Sequence, residues 1–405
     1  LHIHVLSYSQ NDKNGKEFIN LSLVKKEYNS AYSYFDKEVQ TQITLPVLQQ
    51  TIELIEEQLG QFKKIIEINH QKSTFFFYSE FEKAKLDIQI TFNNENKIVG
   101  FYFIPHKDFE NNNSLNIKSD SLELKGTFLQ SIENDQKKLV IFVHGSGPQD
   151  RNETIGENKP FKDIAEYLYN NGISSYRYDK RTYSYPELFT DKSTVEEETI
   201  NDVVNVTNYF KSNEKFKDYQ IIILGHSLGA YLIPQIAKKI KISKYIFLAG
   251  NSRPLQDLII EQFEYINKIE PSKISAQEVK NIKRQVDFLN SNKFNLNTKK
   301  TELPLGLSAY YWKYLLDYKP LEDIKSIQVP MLFMQGGKDY QVTQIDFNLW
   351  KKKFKNNKKI IFKFYPTLNH LFIENTEKIP SPKDYEKKGN INENVLKDLK
   401  DFILN

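Results

Sequence analysis

The chain of 405 residues contains no cysteine, which excludes disulfides, thiolate nucleophiles and sulfur-ligated zinc. It also lacks any uninterrupted apolar stretch near the length that spans a bilayer. Neither charge dominates: 56 basic side chains stand against 52 acidic ones, a net +4, so the surface is mixed and shows no nucleic-acid footprint. The basic run Lys351, Lys352, Lys353, Lys355, Lys358 and Lys359 reads as the polar face of a surface helix rather than a phosphate or membrane patch. Histidine is scarce, and of the seven only His2 and His4 are spaced like metal ligands, so no metal and no cofactor is expected. The start, Leu1-His2-Ile3-His4-Val5-Leu6, is too short and uncharged for an intact secretory signal, and the missing methionine suggests a processed or trimmed chain. Compartment stays open between secreted or periplasmic, with the signal removed, and cytoplasmic.

What is present falls into two patterns. Residues 18–61 carry helical spacing at Leu45, Leu48, Ile52, Ile55 and Leu59, with Pro46 near a helix start and Gly60 just past its end, and two helices fit there. Short β-rich runs follow at 73–79, 85–92 and 97–104, predicting a small α+β domain over residues 1–105. The run Phe75-Phe76-Phe77-Tyr78 is expected in its core rather than as a stacking platform. A polar linker over 106–120, centred on Asn111-Asn112-Asn113-Ser114, leads to a second domain, 121–405. There a first strand at 122–130 precedes apolar runs at 139–143, 173–178, 221–224, 245–249, 331–334 and 360–365, which alternate with amphipathic helices and predict a mostly parallel sheet covered on both faces. Residues 252–324 are too long for a connection and read as a helical cap insertion.

Gly225-His226-Ser227-Leu228-Gly229 matches G-x-S-x-G directly after an apolar strand and directly before a helix, the context in which a serine is held outward on a sharp turn. A serine hydroxyl needs a base to accept its proton, and in this order of elements the base follows the serine. His370 alone qualifies, because the histidines at 2, 4, 70, 106, 144 and 226 all precede Ser227. The acid that orients the imidazole should leave another strand end between serine and histidine, and Asp339 does so after Gly336-Gly337-Lys338. An oxyanion needs two preorganised donors, expected from the backbone N–H of Leu228 and of Ser146 or Gly147 in the turn His144-Gly145-Ser146-Gly147-Pro148. Gly225, Gly229 and Gly145 serve close backbone approach, and His144 is expected to brace the turn. The cluster Asp150, Arg151, Arg177, Asp179, Lys180 and Arg181 is expected to be a structural network rather than an anion clamp.

These elements together resemble the α/β-hydrolase superfamily. His144-Gly145-Ser146-Gly147-Pro148-Gln149-Asp150-Arg151, Arg177-Tyr178-Asp179-Lys180-Arg181, Gly336-Gly337-Lys338-Asp339-Tyr340-Gln341-Val342 and Leu368-Asn369-His370-Leu371-Phe372 look like a group of bacterial carboxylesterases related in fold to prolyl oligopeptidases. The resemblance runs from about Leu122 to the C-terminus. It implies an α/β-hydrolase fold with Ser227, Asp339 and His370 as triad, and small-molecule esters with short acyl chains as substrates. The first domain is similar to uncharacterised domains found before such hydrolases, implying a nuclear-transport-factor-2-like or cystatin-like cone, through which a homo-oligomer would assemble or a ligand be recruited. A prolyl-oligopeptidase-like peptidase or an aminoacyl hydrolase is the nearest rival, and a binding module with secondary hydrolase activity is the rival from another class. No propeller repeat accompanies the triad, which weighs against the peptidase.

Overall fold

Asn11, Gly15 and Phe18 are buried at i, i+4 and i+7, so the helix Ile3–Ile19 packs a face that is helical in spacing but scarcely apolar. That is why hydrophobic periodicity places the first helix only from Phe18 onward. The computed structural model describes residues 3–71, 73–106, 113–132, 134–355 and 357–405. It corrects the expected two helices to a longer series: Ile3–Ile19, a π-turn Asn20–Val24, then Tyr28–Tyr32, Lys37–Gln42 and Leu45–Leu59. Pro46 and Gly60 take the expected start and end positions in the last of these. His2 lies outside the described residues, as does the linker centre Asn111-Asn112.

The chain divides into Leu1–Asn112 and Asn113–Asn405. In the first unit β1 (Phe62–Gln71), β2 (Thr74–Phe81), β3 (Lys85–Phe92) and β4 (Ile98–Ile104) form an antiparallel meander in chain order. Phe75, Phe76 and Phe77 are all buried. Phe18 meets Phe35 and Phe101 edge to face at 5.4 and 5.0 Å, the preferred aromatic geometry.

The second unit begins earlier than expected, at Asn113. Within the supposed linker, β5 (Ile117–Ser119) pairs with β6 (Leu122–Leu124), and Ser119 Oγ donates to Asp202 Oδ1 at 2.6 Å. Ile117 and Leu124 are buried singly among polar neighbours, a pattern too short to read as a strand. The main sheet adds β7 (Gly126–Leu129), β8 (Lys138–Val143), β9 (Ser174–Tyr178), β10 (Gln220–His226), β11 (Lys244–Leu248), β12 (Met331–Gly336) and β13 (Ile360–Tyr365) in the order 13-12-11-10-8-9-7. All its pairs are parallel except the edge strand β7 against β9. Along β10, Ile221 and Ile223 belong to the core shared with helices Asn201–Ser212, Leu228–Lys239 and Gln344–Lys353, whereas Ile222 and Leu224 belong to the core shared with Pro160–Asn170 and Glu393–Leu404. Burial on both faces explains the uninterrupted apolar runs.

The chain leaves β8 toward one edge of the sheet and β10 toward the other. This reversal opens a crevice at the carboxyl ends of those two neighbours, where open α/β sheets bind ligands. Between β11 and β12 an insertion carries helices Leu255–Ile269, Ala276–Leu289 and Ala309–Asp317. Among the described residues no helix is long and apolar enough to cross a membrane.

Candidate active site

Ser227 sits where β10 turns into the helix Leu228–Lys239, at φ 52° and ψ −118°. A non-glycine residue held there stores on the order of 1–3 kcal/mol, sustained only when its surroundings over-determine the backbone. The neighbours do so: a Cβ on Gly229 would come within 2.3 Å of the Val143 carbonyl oxygen. Ser227 N–H donates to Leu248 O of the adjacent strand at 2.9 Å.

Beyond β12, Asp339 is buried and its carboxylate is saturated. Oδ1 accepts the backbone N–H groups of Gln341 and Val342 at 2.8 and 2.9 Å, and Oδ2 accepts Gln335 Nε2 at 3.0 Å. His370 Nδ1 lies 2.7 Å from the same Oδ2, with both side chains buried. The His370 loop is fixed by an Asx-type turn in which Asn369 Oδ1 accepts from Leu371 and Ile373 N–H. The loop is tied to the Ser227 turn by His226, whose Nε2–H donates to His370 O at 3.0 Å.

The turn after β8 lies against Ser227: a Cβ on Gly145 would stand 3.3 Å from Ser227 Cβ. Lys180 is buried and donates to Gly145 O at 2.8 Å, to Gly147 O at 3.0 Å, and to Glu198. Glu198 in turn accepts the Tyr311 hydroxyl of the inserted segment at 2.6 Å. His144 donates through Nε2 to Asp150 O at 3.0 Å, and burial pushes its pKa down to about 4, so it is a neutral brace. The remaining charges are spent internally: Arg151 binds Asp179 through Nε and Nη2, Arg177 binds Asn152, and Arg181 binds Asp202 and Asp120. Asp150 accepts from Asn152 and Thr154 N–H.

A cavity of about 530 Å³ has Ser146, Gly147, Ser227 and Leu228 in its lining. Leu255, Leu258 and Ile259 of the inserted segment give it an apolar wall, and Glu198 and Tyr311 reach it too. Among the described residues no group of three histidine, aspartate or glutamate side chains could hold a metal ion. Sequence reasoning missed Glu198 and also Glu153, which is buried at φ 53°, accepts Gly145 N–H at 2.6 Å and brings its second oxygen to 2.9 Å from His226 Nδ1. The only hint of Glu153 was the histidine at the first variable position of the G-x-S-x-G motif, His226, which needs a partner when buried.

Residues 305–403 match the dienelactone hydrolase family. Residues 16–101 match a family described as a protein of unknown function, DUF3887. The chain is 28% identical over 394 residues to esterase EstD of Thermotoga maritima, covering 93% of this chain and 92% of that protein. Among solved structures it is similar to Est1E of Butyrivibrio proteoclasticus, with 17% identity, a TM-score of 0.45, and 72% and 98% of the two chains covered. A dienelactone hydrolase of Anabaena variabilis shows 11% identity and a TM-score of 0.40, over 72% and 95%. With its reversal at β8 and β10, helices on both faces and serine-bearing turn after β10, the second unit has the α/β-hydrolase fold.

Proposed function

We propose that the protein is a carboxylesterase-type serine hydrolase acting on small esters, with short acyl chains as first candidates. The observation that carries the reading is the strained Ser227 in the lining of the cavity, with the buried His370–Asp339 pair anchored to its turn through His226. The 28% identity to an esterase along nearly the whole chain supports it.

In this reading Ser227 Oγ attacks the ester carbonyl while His370 Nε2 takes its proton, and Asp339 on Nδ1 holds the tautomer and stabilises the imidazolium. The tetrahedral oxyanion is met by the N–H of Leu228 and of a residue in the turn after β8. Lys180 supports Ser146 over Gly147 there. A trans peptide directs its C=O and N–H oppositely, so the ammonium on Gly145 O turns the Ser146 N–H away from itself. The Gly147 N–H belongs to the Ser146–Gly147 peptide, whose carbonyl Lys180 does not hold, and the peptide it does hold beyond, at Gly147 O, carries no N–H because the next residue is Pro148. Ser146 is therefore assigned as second donor and Gly147 as the residue that lets the turn close. Collapse expels the alkoxide, which takes the proton from His370. Water then attacks the acyl-enzyme with His370 again as base, releasing the acid and restoring Ser227.

Ser227→Ala is expected to abolish hydrolysis of p-nitrophenyl butyrate while leaving the thermal transition in place, and undiminished turnover overturns the assignment. An ester and an anilide of the same acyl group separate esterase from peptidase, since faster anilide turnover favours the peptidase.

A further inference from the structure

Three segments far apart in sequence must share one register for this chemistry: the turn at Gly145, the turn at Ser227 and the loop at His370. One carboxylate reaches two of them and the third through a single intermediary. Glu153 Oε1 accepts Gly145 N–H, Oε2 lies against His226 Nδ1, and His226 Nε2–H holds His370 O. The His226 and His370 rings stand 4.6 Å apart. We propose that Glu153 is a positioning residue for the hydrolysis, setting the oxyanion turn against the nucleophile through Gly145 and the base loop through a charge shared with His226. The proposal rests on the hydrolase reading.

Burial by itself disfavours both charges. Each nonetheless sustains the other: Glu153 holds the His226 pKa above the ordinary histidine value, and His226 holds the Glu153 carboxyl below the usual range. The charged and titratable groups facing the pair are Asp339 and His370 from the acid and base loops and His144 beside Glu153. Lys180 grips the other side of Gly145, so the two peptide groups flanking that residue are fixed by buried charges of opposite sign.

Glu153→Gln keeps an oxygen for Gly145 N–H and removes the charge, whereas Glu153→Ala removes both. Rates are measured with p-nitrophenyl butyrate across pH and divided by the active serines counted with a fluorophosphonate, so that incomplete folding does not enter. For Glu153→Gln, kcat is expected to fall about tenfold with KM within about twofold. For Glu153→Ala the fall is about 10²- to 10³-fold, the scale of losing one oxyanion donor. Sign follows from the linkage: without the carboxylate, burial drives His226 to lose its proton at lower pH, so the alkaline limb of kcat in Glu153→Gln moves downward. Wild-type kcat per active serine in either variant, or an alkaline limb that stays in place, overturns the proposal. Wild-type protein that neither reacts with the fluorophosphonate nor cleaves any ester overturns the hydrolase reading instead.

Discussion

The two units bury different things. The first packs rings, with Phe18, Phe35, Phe75, Phe77 and Phe92 nearly inaccessible, and among its described residues Asp87 is the buried charged side chain, paired with His106 at 3.0 Å. The second buries many more: Glu153, Lys180, Arg181, Glu198, Asp202, His226, Asp339 and His370 lie around the carboxyl ends of β8, β9 and β10 and the loops beyond β12 and β13, while others such as Lys162, Lys244 and Asp346 lie elsewhere. Apolar burial holds a fold together at little chemical cost. Buried charge is expensive unless paired, and where it clusters it marks the place that performs chemistry.

The contrast is sharpest where the second unit is stripped of one charge without loss of volume. Asp339→Asn should lower kcat about 10⁴-fold, because the amide favours the wrong imidazole tautomer, and steady-state rates with unchanged thermal melting check this. In the first unit Phe77→Ala should do the reverse, lowering unfolding free energy by about 3–5 kcal/mol in urea titration while kcat per active serine stays unchanged. A rate loss there would break the division between a packed unit and a reactive one. Lys180→Met should cost about 10²-fold in kcat, since the Gly145 carbonyl loses the group that orients Ser146 N–H, and it should weaken transition-state-like inhibitors more than substrates.

The smallest expected effect tests burial without catalysis. Burial pushes the Asp163 carboxyl up to about 7, while in the unfolded chain it ionises near the ordinary value of 3.8. The folded state therefore binds the proton more tightly, and this residue's contribution to stability falls as pH rises from about 4 to 7. Asp163→Asn keeps an oxygen for Ile391 N–H and cannot ionise. Its melting temperature should exceed that of the wild type by a few degrees at pH 8 and by nothing near pH 4, as scanning calorimetry would show.

Ser227, His370 and Asp339 were legible because each sits at a strand end with a local signature: glycines flanking the serine, a double glycine before the aspartate, and no rival histidine downstream. The strands of the main sheet were legible for a related reason, since burial on both faces leaves runs such as Ile221-Ile222-Ile223-Leu224 with no polar interruption. Glu153 and Glu198 were not legible as site residues. Their partners lie between 8 and 113 positions away along the chain, and a glutamate in a polar segment looks solvated until the fold closes around it. The helix Ile3–Ile19 was missed because Asn11 and Gly15 occupy its buried stripe, and β5 because one isoleucine is the only apolar side chain it buries.

The Tyr311 hydroxyl and the Lys180 ammonium meet on one carboxylate, Glu198, so the cavity wall at Tyr311 and the turn at Gly145 share a joint. Under the proposed mechanism, substrate range and turnover are geared together through that joint. A redesign of the inserted segment that shifts Tyr311 to admit a bulkier acid will also slacken the grip on Gly145, and a lineage exploring new esters through that segment has to restore the joint before it recovers its speed.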